Sequence, residues 1–161
     1  MNKSVIHTDY EPAFRKLGDN LKYLRNVHGL SLKELSISSN YDSDLLSWLE
    51  SGIENIRYNK LLSISKSLNV DFKILFCPQI QNNQSIPIFV NDDFLFIFRN
   101  NILKELKRKN KQKTSLCVGN DLSLSAVSRL LNGKIQNPTI LTLFRISSAL
   151  DIELTKLFER S

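Results

Sequence analysis

A pattern of apolar residues and glycines that returns after 81 or 82 positions constrains this 161-residue chain more than any other feature. Self-similarity at a fixed period indicates a domain that is built twice. Each copy spans roughly 65 residues, enough for one small helical domain. The matched residues of the first copy are Leu21, Leu24, Leu35, Leu49, Gly52, Leu62, Ile64, Leu68, Val70, Leu75 and Phe76, and their counterparts are Leu103, Leu106, Leu116, Leu130, Gly133, Phe144, Ile146, Leu150, Ile152, Leu157 and Phe158.

The first copy predicts five short helices. Ser31 with Glu34 three residues later predicts a capping box at the start of the second helix, and Asp42 predicts the N-cap of the third. Gly29 and Gly52 follow apolar stretches with helical spacing and predict two of the helix ends. The predicted helices run over 12–28, 31–40, 42–52, 58–68 and 71–76.

The second copy predicts the same plan, with Asn91 as the N-cap of a long first helix and Ser123 as the N-cap of the third. We therefore expect an all-α chain with domains at residues 1–76 and 93–161, joined by a linker at 77–92. Within the linker, Ile86 to Val90 is a brief β-like stretch, although Pro87 makes it a poor central strand. This stretch either packs on a domain or pairs with a second chain. The predicted helices of the second copy run over 91–110, 114–118, 123–133, 139–149 and 152–159.

The two halves of the chain differ in charge. Residues 1–80 hold ten Lys or Arg against nine Asp or Glu, a net charge of +1, whereas residues 81–161 hold twelve against seven, a net charge of +5. Cations clustered on one face release counterions from phosphates, so the basic half indicates a surface for a polyanion. The alternative is a solvated basic face without a ligand.

Several function classes have no signature in the sequence. The longest apolar runs, such as Phe94 to Phe98, are too short to span a bilayer, and the first residues lack the apolar core of a secretory signal. Cys77, Cys117, His7 and His28 have no spacing typical of a zinc site or a disulfide framework. No catalytic motif is present, and Cys117 with the distant His28 is the nearest candidate. We expect a cytoplasmic protein that is not an enzyme and needs no metal or cofactor.

The segments GLSLKELSISSNYDSDLLSWLESG (29–52) and SLCVGNDLSLSAVSRLLNGKIQNPTILTLFRISSAL (115–150) resemble the Xre family of phage-repressor and Cro-like regulators. The stretch VSRLLNGKIQNPT is the most specific part of the resemblance. It implies two tandem five-helix repressor-like helix-turn-helix domains, each with its third helix placed to enter the major groove of DNA. The resemblance and the repeat together cover nearly the whole chain except the linker and the first ten residues.

The resemblance implies a DNA-binding set in the second copy. Leu124, Ser125 and Arg129 take the base-facing positions, and an arginine can bind guanine O6 and N7 in a bidentate manner. Lys113 stands where the family often has a glutamine that contacts phosphate. The full predicted set is Lys111, Lys113, Thr114, Ser123, Leu124, Ser125, Ser128, Arg129, Lys134, Asn137 and Thr139.

The first copy departs from the family pattern. Leu32 replaces the phosphate-contacting residue, and Ser43, Asp44 and Trp48 take the base-facing positions, where an acidic side chain meets a negative groove. Trp48 either belongs to a protein-contacting surface or turns into the core. Lys33 and Arg57 remain candidates for phosphate contacts, so weaker DNA binding or partner binding both stay open.

The leading hypothesis is a sequence-specific transcription regulator, a repressor, that binds double-stranded DNA as a homodimer through the second copies. The alternative is a protein-interaction module, an antitoxin or anti-regulator, that holds a protein partner with the first copy. Neither hypothesis involves a membrane.

Overall fold

The computed structural model describes residues 8–80, 82 and 85–160 and divides the chain into two compact units, Met1–Asn91 and Asp92–Ser161. Eight α-helices and three 3₁₀-helices make up its regular structure, and no β-strand occurs among the described residues. The expected all-α class is confirmed. Residues 1–7 of the predicted first domain, residues 81, 83 and 84 of the predicted linker and residue 161 lie outside the described residues.

The first unit is a cluster of short helices. After a 3₁₀-helix at Thr8–Tyr10, its elements are α1 (Glu11–Val27), α2 (Leu32–Ser39), α3 (Ser43–Glu50), α4 (Tyr58–Ser67) and a 3₁₀-helix at Phe72–Phe76.

The predicted caps of the first unit are confirmed. The Ser31 hydroxyl accepts from the Glu34 N–H at 3.1 Å and the Glu34 carboxylate accepts from the Ser31 N–H at 3.3 Å, so the capping box is complete. Asp42 Oδ1 accepts from the N–H groups of Asp44 and Leu45 in the first turn of α3. These bonds satisfy backbone donors that have no partner within the helix.

The helices α1 and α3 approach each other at backbone distance. A Cβ atom on Gly18 would lie 2.5 Å from the Glu50 carbonyl oxygen, so only glycine fits there. Next to this contact, Arg25 Nε donates to Glu50 Oε1 at 2.8 Å, and an Arg25 Nη1 donates to the Leu30 carbonyl at 2.8 Å. The two charged side chains are only 12% and 8% exposed, so the ion pair belongs to the interior of the unit.

The second unit has a similar order of elements. They are α5 (Phe94–Arg108), a 3₁₀-helix at Lys113–Cys117, α6 (Leu124–Leu131), α7 (Ile140–Ala149) and α8 (Leu154–Leu157). Its aromatic core joins both ends of the unit, because the Phe158 ring lies 5.5 Å from that of Phe98 and 6.4 Å from that of Phe94.

Three details of the second unit differ from the predictions. Asp93, rather than Asn91, caps α5, because its carboxylate accepts from the Phe96 N–H at 3.0 Å. The short helix at 114–118 is a 3₁₀-helix that starts at Lys113, and the last helix covers four residues rather than the whole of 152–159.

The register of α5 also differs from the predicted repeat. Leu103 is 42% exposed, whereas Ile102 is fully buried, so Ile102 and not Leu103 occupies the buried position that Leu21 has in α1. The buried residues of α5 are three or four positions apart, which is the spacing of one helix face: Phe94 and Leu95, then Phe98, Ile102 and Leu106.

The β-like stretch at 86–90 is a wrong prediction. These residues carry no regular structure, and the Pro87 carbonyl accepts from the Asp71 N–H at 2.9 Å. This bond joins the stretch to the first unit, which is one of its two predicted alternatives. Proline has no N–H to donate, so a ladder cannot form on both sides of this segment. The segment as far as Asn91 groups with the first unit, which places the boundary between the units at Asn91 and Asp92.

Candidate DNA interface

The helix α6 separates its residues cleanly into an inner and an outer face. Val127, Leu130 and Leu131 are buried. Leu124, Ser125 and Arg129, the three predicted base-facing residues, are exposed, and Leu124 is 46% exposed. The Ser123 hydroxyl accepts from the Ala126 N–H at 3.0 Å, so this predicted residue is the N-cap that starts the helix.

Arg129 has a guanidinium that remains available to a ligand. It is exposed, and no ion pair or side-chain hydrogen bond engages it among residues 8–80, 82 and 85–160. Its backbone carbonyl accepts from the Lys134 and Ile135 N–H groups, which fixes the turn after α6. The helix itself has no acidic residue, so nothing on α6 opposes an approaching anion.

Five of the predicted residues meet in one groove. The groove has a volume of about 580 Å³ and runs between the end of α5, the following 3₁₀-helix and the start of α6. The predicted residues in its wall are Lys111, Lys113, Thr114, Leu124 and Ser128.

The loop after α6 brings three more predicted residues to the surface to different degrees. Lys134 is exposed, whereas Asn137 and Thr139 are half-buried. The Thr139 hydroxyl caps α7, accepting from the Thr142 N–H at 3.4 Å and lying 3.2 Å from the Thr142 hydroxyl oxygen. Thr139 therefore stabilises the start of α7. Lys134 is the exposed cation of the loop between α6 and α7.

Comparison with known families identifies this arrangement. Residues 102–157 match the family model described as Helix-turn-helix. Within the second unit, this segment is similar to Xre/Cro-like helix-turn-helix domains. The same comparisons found no curated protein and no solved structure that matches the chain.

The helix-turn-helix match begins within α5 and ends with α8, so it includes α6 and the groove. It supports a DNA-binding helix-turn-helix regulator. The family is a DNA-binding regulator family and generally not enzymatic. In the described part of the chain, no helix is long and apolar enough to cross a membrane, and no group of three or more His, Cys, Asp or Glu could hold a metal ion.

The corresponding residues of the first unit present a different surface. Ser43 and Asp44 open α3 and are exposed, and Trp48 on the same helix is half-buried. Leu32 at the start of α2 is half-buried, while Lys33 and Arg57 are exposed. The face therefore offers a carboxylate and part of an indole where α6 offers a guanidinium.

Four residues of the groove are absent from the predicted set: Leu103, Leu106, Lys107 and Gln112. The apolar repeat pairs Leu103 with Leu21, whereas the structure buries Ile102, one position earlier, and leaves Leu103 exposed. The signal that fixes the register is a polar pair 81 positions apart, Asn20 and Asn101. Each amide donates to two carbonyl groups at the end of the last short helix of its own unit.

Proposed function

We propose that this protein is a sequence-specific transcriptional repressor that inserts α6 into the major groove of DNA. Arg129 would read guanine, Ser125 a polar base edge and Leu124 a thymine methyl, since these are the contacts that such side chains make there. Lys111, Lys113 and Lys134 would bind phosphates and set the position of the helix. Occupancy of a promoter by the bound protein would exclude the polymerase.

The observation that carries the proposal is the exposed, unengaged guanidinium of Arg129 on the outer face of α6. Arginine side chains are usually paired when they are buried. An exposed arginine on a helix without acidic residues is suited to bind an external anion or a base edge. The net charge of +5 in residues 81–161 adds a long-range attraction for DNA.

We further propose that two copies of the chain bind together. One helix-turn-helix domain makes few phosphate contacts and would bind modestly, and two domains related by a twofold axis read half-sites about 34–36 Å apart. A palindromic site would follow from that symmetry.

Selection of binding sites from random DNA by the whole protein tests the proposal, followed by binding of variants to the selected site. Arg129→Ala should cost about 1–3 kcal/mol and relax the preference at one base pair. Lys113→Ala should weaken binding to all sequences about equally and lower the salt slope by about 1. Arg15→Ala, which removes an exposed guanidinium from the first unit, serves as the matched control.

Wild-type binding by both Arg129→Ala and Lys113→Ala would overturn the assignment of α6 as the reading helix. Failure to enrich any motif would overturn sequence-specific binding. Enrichment of a site without twofold symmetry would contradict the homodimer and leave the reading helix in place.

We also propose that the first unit is a second, divergent copy of the same helix-turn-helix domain. Asn20 Nδ2 donates to the Leu75 and Cys77 carbonyls, and Asn101 Nδ2 donates to the Leu157 and Glu159 carbonyls. Gly52 after α3 and Gly133 after α6 both have a positive φ, 77° and 84°. These matches lie at the same offsets as the apolar pattern.

A second candidate function concerns this first unit alone. Asp44 and the partly exposed Trp48 on α3, with Ile37 73% exposed on α2, favour a protein partner over DNA. Trp48→Ala should then lower the mass of a self-associated or partner-bound form in light scattering. An unchanged mass, with Ser47→Ala as the control, would contradict a contact through this face.

A further inference from the structure

The second unit places a long side chain between its first and third α-helical segments, where the first unit brings two backbones together. In the first unit, a Cβ atom on Gly18 of α1 would lie 2.5 Å from the Glu50 carbonyl oxygen of α3. At the offset of 81 that Asn20 and Asn101 define, the residue of α5 that corresponds to Gly18 is Arg99. An arginine at this position excludes the close backbone contact of the first unit, because interiors leave no space for added atoms.

The loops that follow α3 and α6 show the same difference. A Cβ atom on Gly52, after α3, would lie 2.9 Å from the Arg15 Cα atom, so this loop touches the backbone of α1. A Cβ atom on Gly133, after α6, would lie 3.9 Å from the Arg99 Cζ atom, and no backbone atom of α5 would come within 4 Å of it. The Arg99 guanidinium therefore occupies the space between α5 and the end of α6.

The charge of Arg99 suits the place that its side chain occupies. The last turn of a helix carries a partial negative charge, which a cation beside it stabilises. Arg99 is half-buried, and it forms no ion pair and no hydrogen bond within the part of the chain that the structure describes. Long charged side chains commonly cover their neighbours with the methylene stem and keep the head group partly in water. The guanidinium can therefore stay hydrated while the stem separates α5 from α6.

The separation of α5 and α6 decides which DNA contacts can form together. Lys111 and Lys113 follow the end of α5, whereas Arg129 lies on α6. Phosphate contacts fix the position of a recognition helix, so a base contact forms only when the helix stands at the right distance from the phosphate-binding groups. Functional geometry of this kind tolerates errors of only about 0.5 Å. A closer approach of α6 to α5 would move Arg129 relative to the two lysines by more than that.

We propose that Arg99 is a positioning residue, a spacer that sets the distance between α5 and the end of α6 and thereby the depth at which Arg129 meets the bases. Arg99 contacts no base in this arrangement and acts through the placement of α6. The first unit, which has Trp48 where α6 has Arg129, has glycine at the position of the spacer. The inference rests on the proposed function and adds to it the residue that sets the geometry of the interface.

The test compares two uncharged variants that differ in length at the same position. Arg99→Met keeps a long side chain, and Arg99→Ala removes it without lowering the helix propensity of α5. The affinity of the whole protein is measured against its selected site and against a scrambled duplex of the same length, as a function of salt. Lys104→Ala is the matched control, because it removes one exposed positive charge from the same helix.

The length of the side chain should decide the result. Relative to Lys104→Ala, Arg99→Ala should weaken binding to the selected site about tenfold, as for one lost base contact, with an unchanged salt slope. Its affinity for the scrambled duplex should stay near that of the control, because the phosphate contacts remain. Arg99→Met should bind the selected site within about twofold of the control, because a swap that conserves volume keeps the spacing.

Three results would overturn the spacer. Equal losses in Arg99→Met and Arg99→Ala would show that charge and not length matters, and a salt slope lowered by about 0.9 in both would identify Arg99 as a phosphate contact. An equal loss on both duplexes in Arg99→Ala would assign Arg99 to the fold of the unit alone. The third is an affinity of Arg99→Ala that equals that of Lys104→Ala.

The proposed function is tested separately by the variants of α6 and of the preceding 3₁₀-helix. If Arg129→Ala and Lys113→Ala show their expected losses while the spacer is overturned, α6 remains the reading helix. If those two variants bind like wild type, the proposed function itself fails.

Discussion

The first and second units differ most in the segments that lead into α3 and into α6. In the first unit α2 is a regular α-helix with a complete capping box, and Asn40 in the left-handed conformation, φ 52°, leads into α3 through residues 40–42. In the second unit the matching element is a five-residue 3₁₀-helix without a side-chain cap, followed by a longer turn at 118–123 that contains Gly119 at φ 75°.

The two units also hold their first and third helices together by different forces. The first has the buried ion pair of Arg25 and Glu50, and the positions 81 residues later in the second are two buried leucines, Leu106 and Leu131. A buried ion pair in one unit and two buried leucines in the other therefore occupy positions that correspond in the repeat. Arg25 of the first unit is buried in the ion pair, whereas the cations at α6 and in the groove of the second unit are exposed.

Removal of one partner of the ion pair should have the largest effect on stability. Glu50→Ala leaves a buried guanidinium without its carboxylate, which costs about 3–5 kcal/mol. Urea unfolding followed by fluorescence measures the loss in the first unit, because Trp48 is the only tryptophan of the chain and lies on α3.

A double variant sharpens this test. Arg25→Leu with Glu50→Leu copies the second unit and should recover most of the lost stability, since a well-packed apolar pair often equals or exceeds a buried ion pair. If the double variant is as unstable as Glu50→Ala, a pair of leucines cannot replace the buried ion pair in the first unit.

Removal of either asparagine amide should have an intermediate effect on the free energy of unfolding, and the effect should differ between the units. Asn20 is 5% exposed, so Asn20→Ala leaves the Leu75 and Cys77 carbonyls without their donor and costs about 1–3 kcal/mol. Asn101 is half-exposed and water can replace its amide, so Asn101→Ala should cost about 1 kcal/mol. Fluorescence follows the first variant and far-ultraviolet circular dichroism the second; equal losses would contradict the role assigned to burial.

The smallest effect concerns an exposed pair in the second unit. Arg160 Nε donates to Asp92 Oδ2 at 2.6 Å, and this hydrogen bond lowers the pKa of Asp92 below its ordinary value. A lowered pKa means that the pair stabilises the unit above the ordinary value of the carboxyl and that this contribution disappears as pH falls through the lowered value. NMR titration of Asp92 should show a lowered pKa in the wild type and a pKa closer to the ordinary value in Arg160→Ala. Identical titration curves would show that Arg160 does not lower the pKa of Asp92.

Much of the helix plan could be predicted from the sequence because its signals are local. The caps at Ser31, Asp42 and Ser123 depend on a side chain and a backbone N–H two or three residues away, and all three form as predicted. The prediction that Asn91 caps α5 was wrong by two residues, because the carboxylate of Asp93 accepts the backbone hydrogen bond that an asparagine cap would accept.

The candidate site was predictable only in part. The exposed position of Arg129 follows from the spacing of the buried residues on α6, which a sequence displays. The groove required the packing of α5 against α6, which determines that Ile102 turns inward and Leu103 outward. Adjacent apolar residues on a helix are 100° apart, and residue type alone does not say which of them faces the core.

The sequence by itself determined the helical class of the chain, most helix limits and the greater positive charge of the second half, because these depend on local hydrogen bonds and composition. Tertiary structure decided the register of α5, the 3₁₀ form of the short helix and the exchange of the Arg25–Glu50 pair for Leu106 and Leu131. Those features depend on contacts between helices that are far apart in the chain, where the fit of side-chain volumes and the desolvation of charges outweigh local preference.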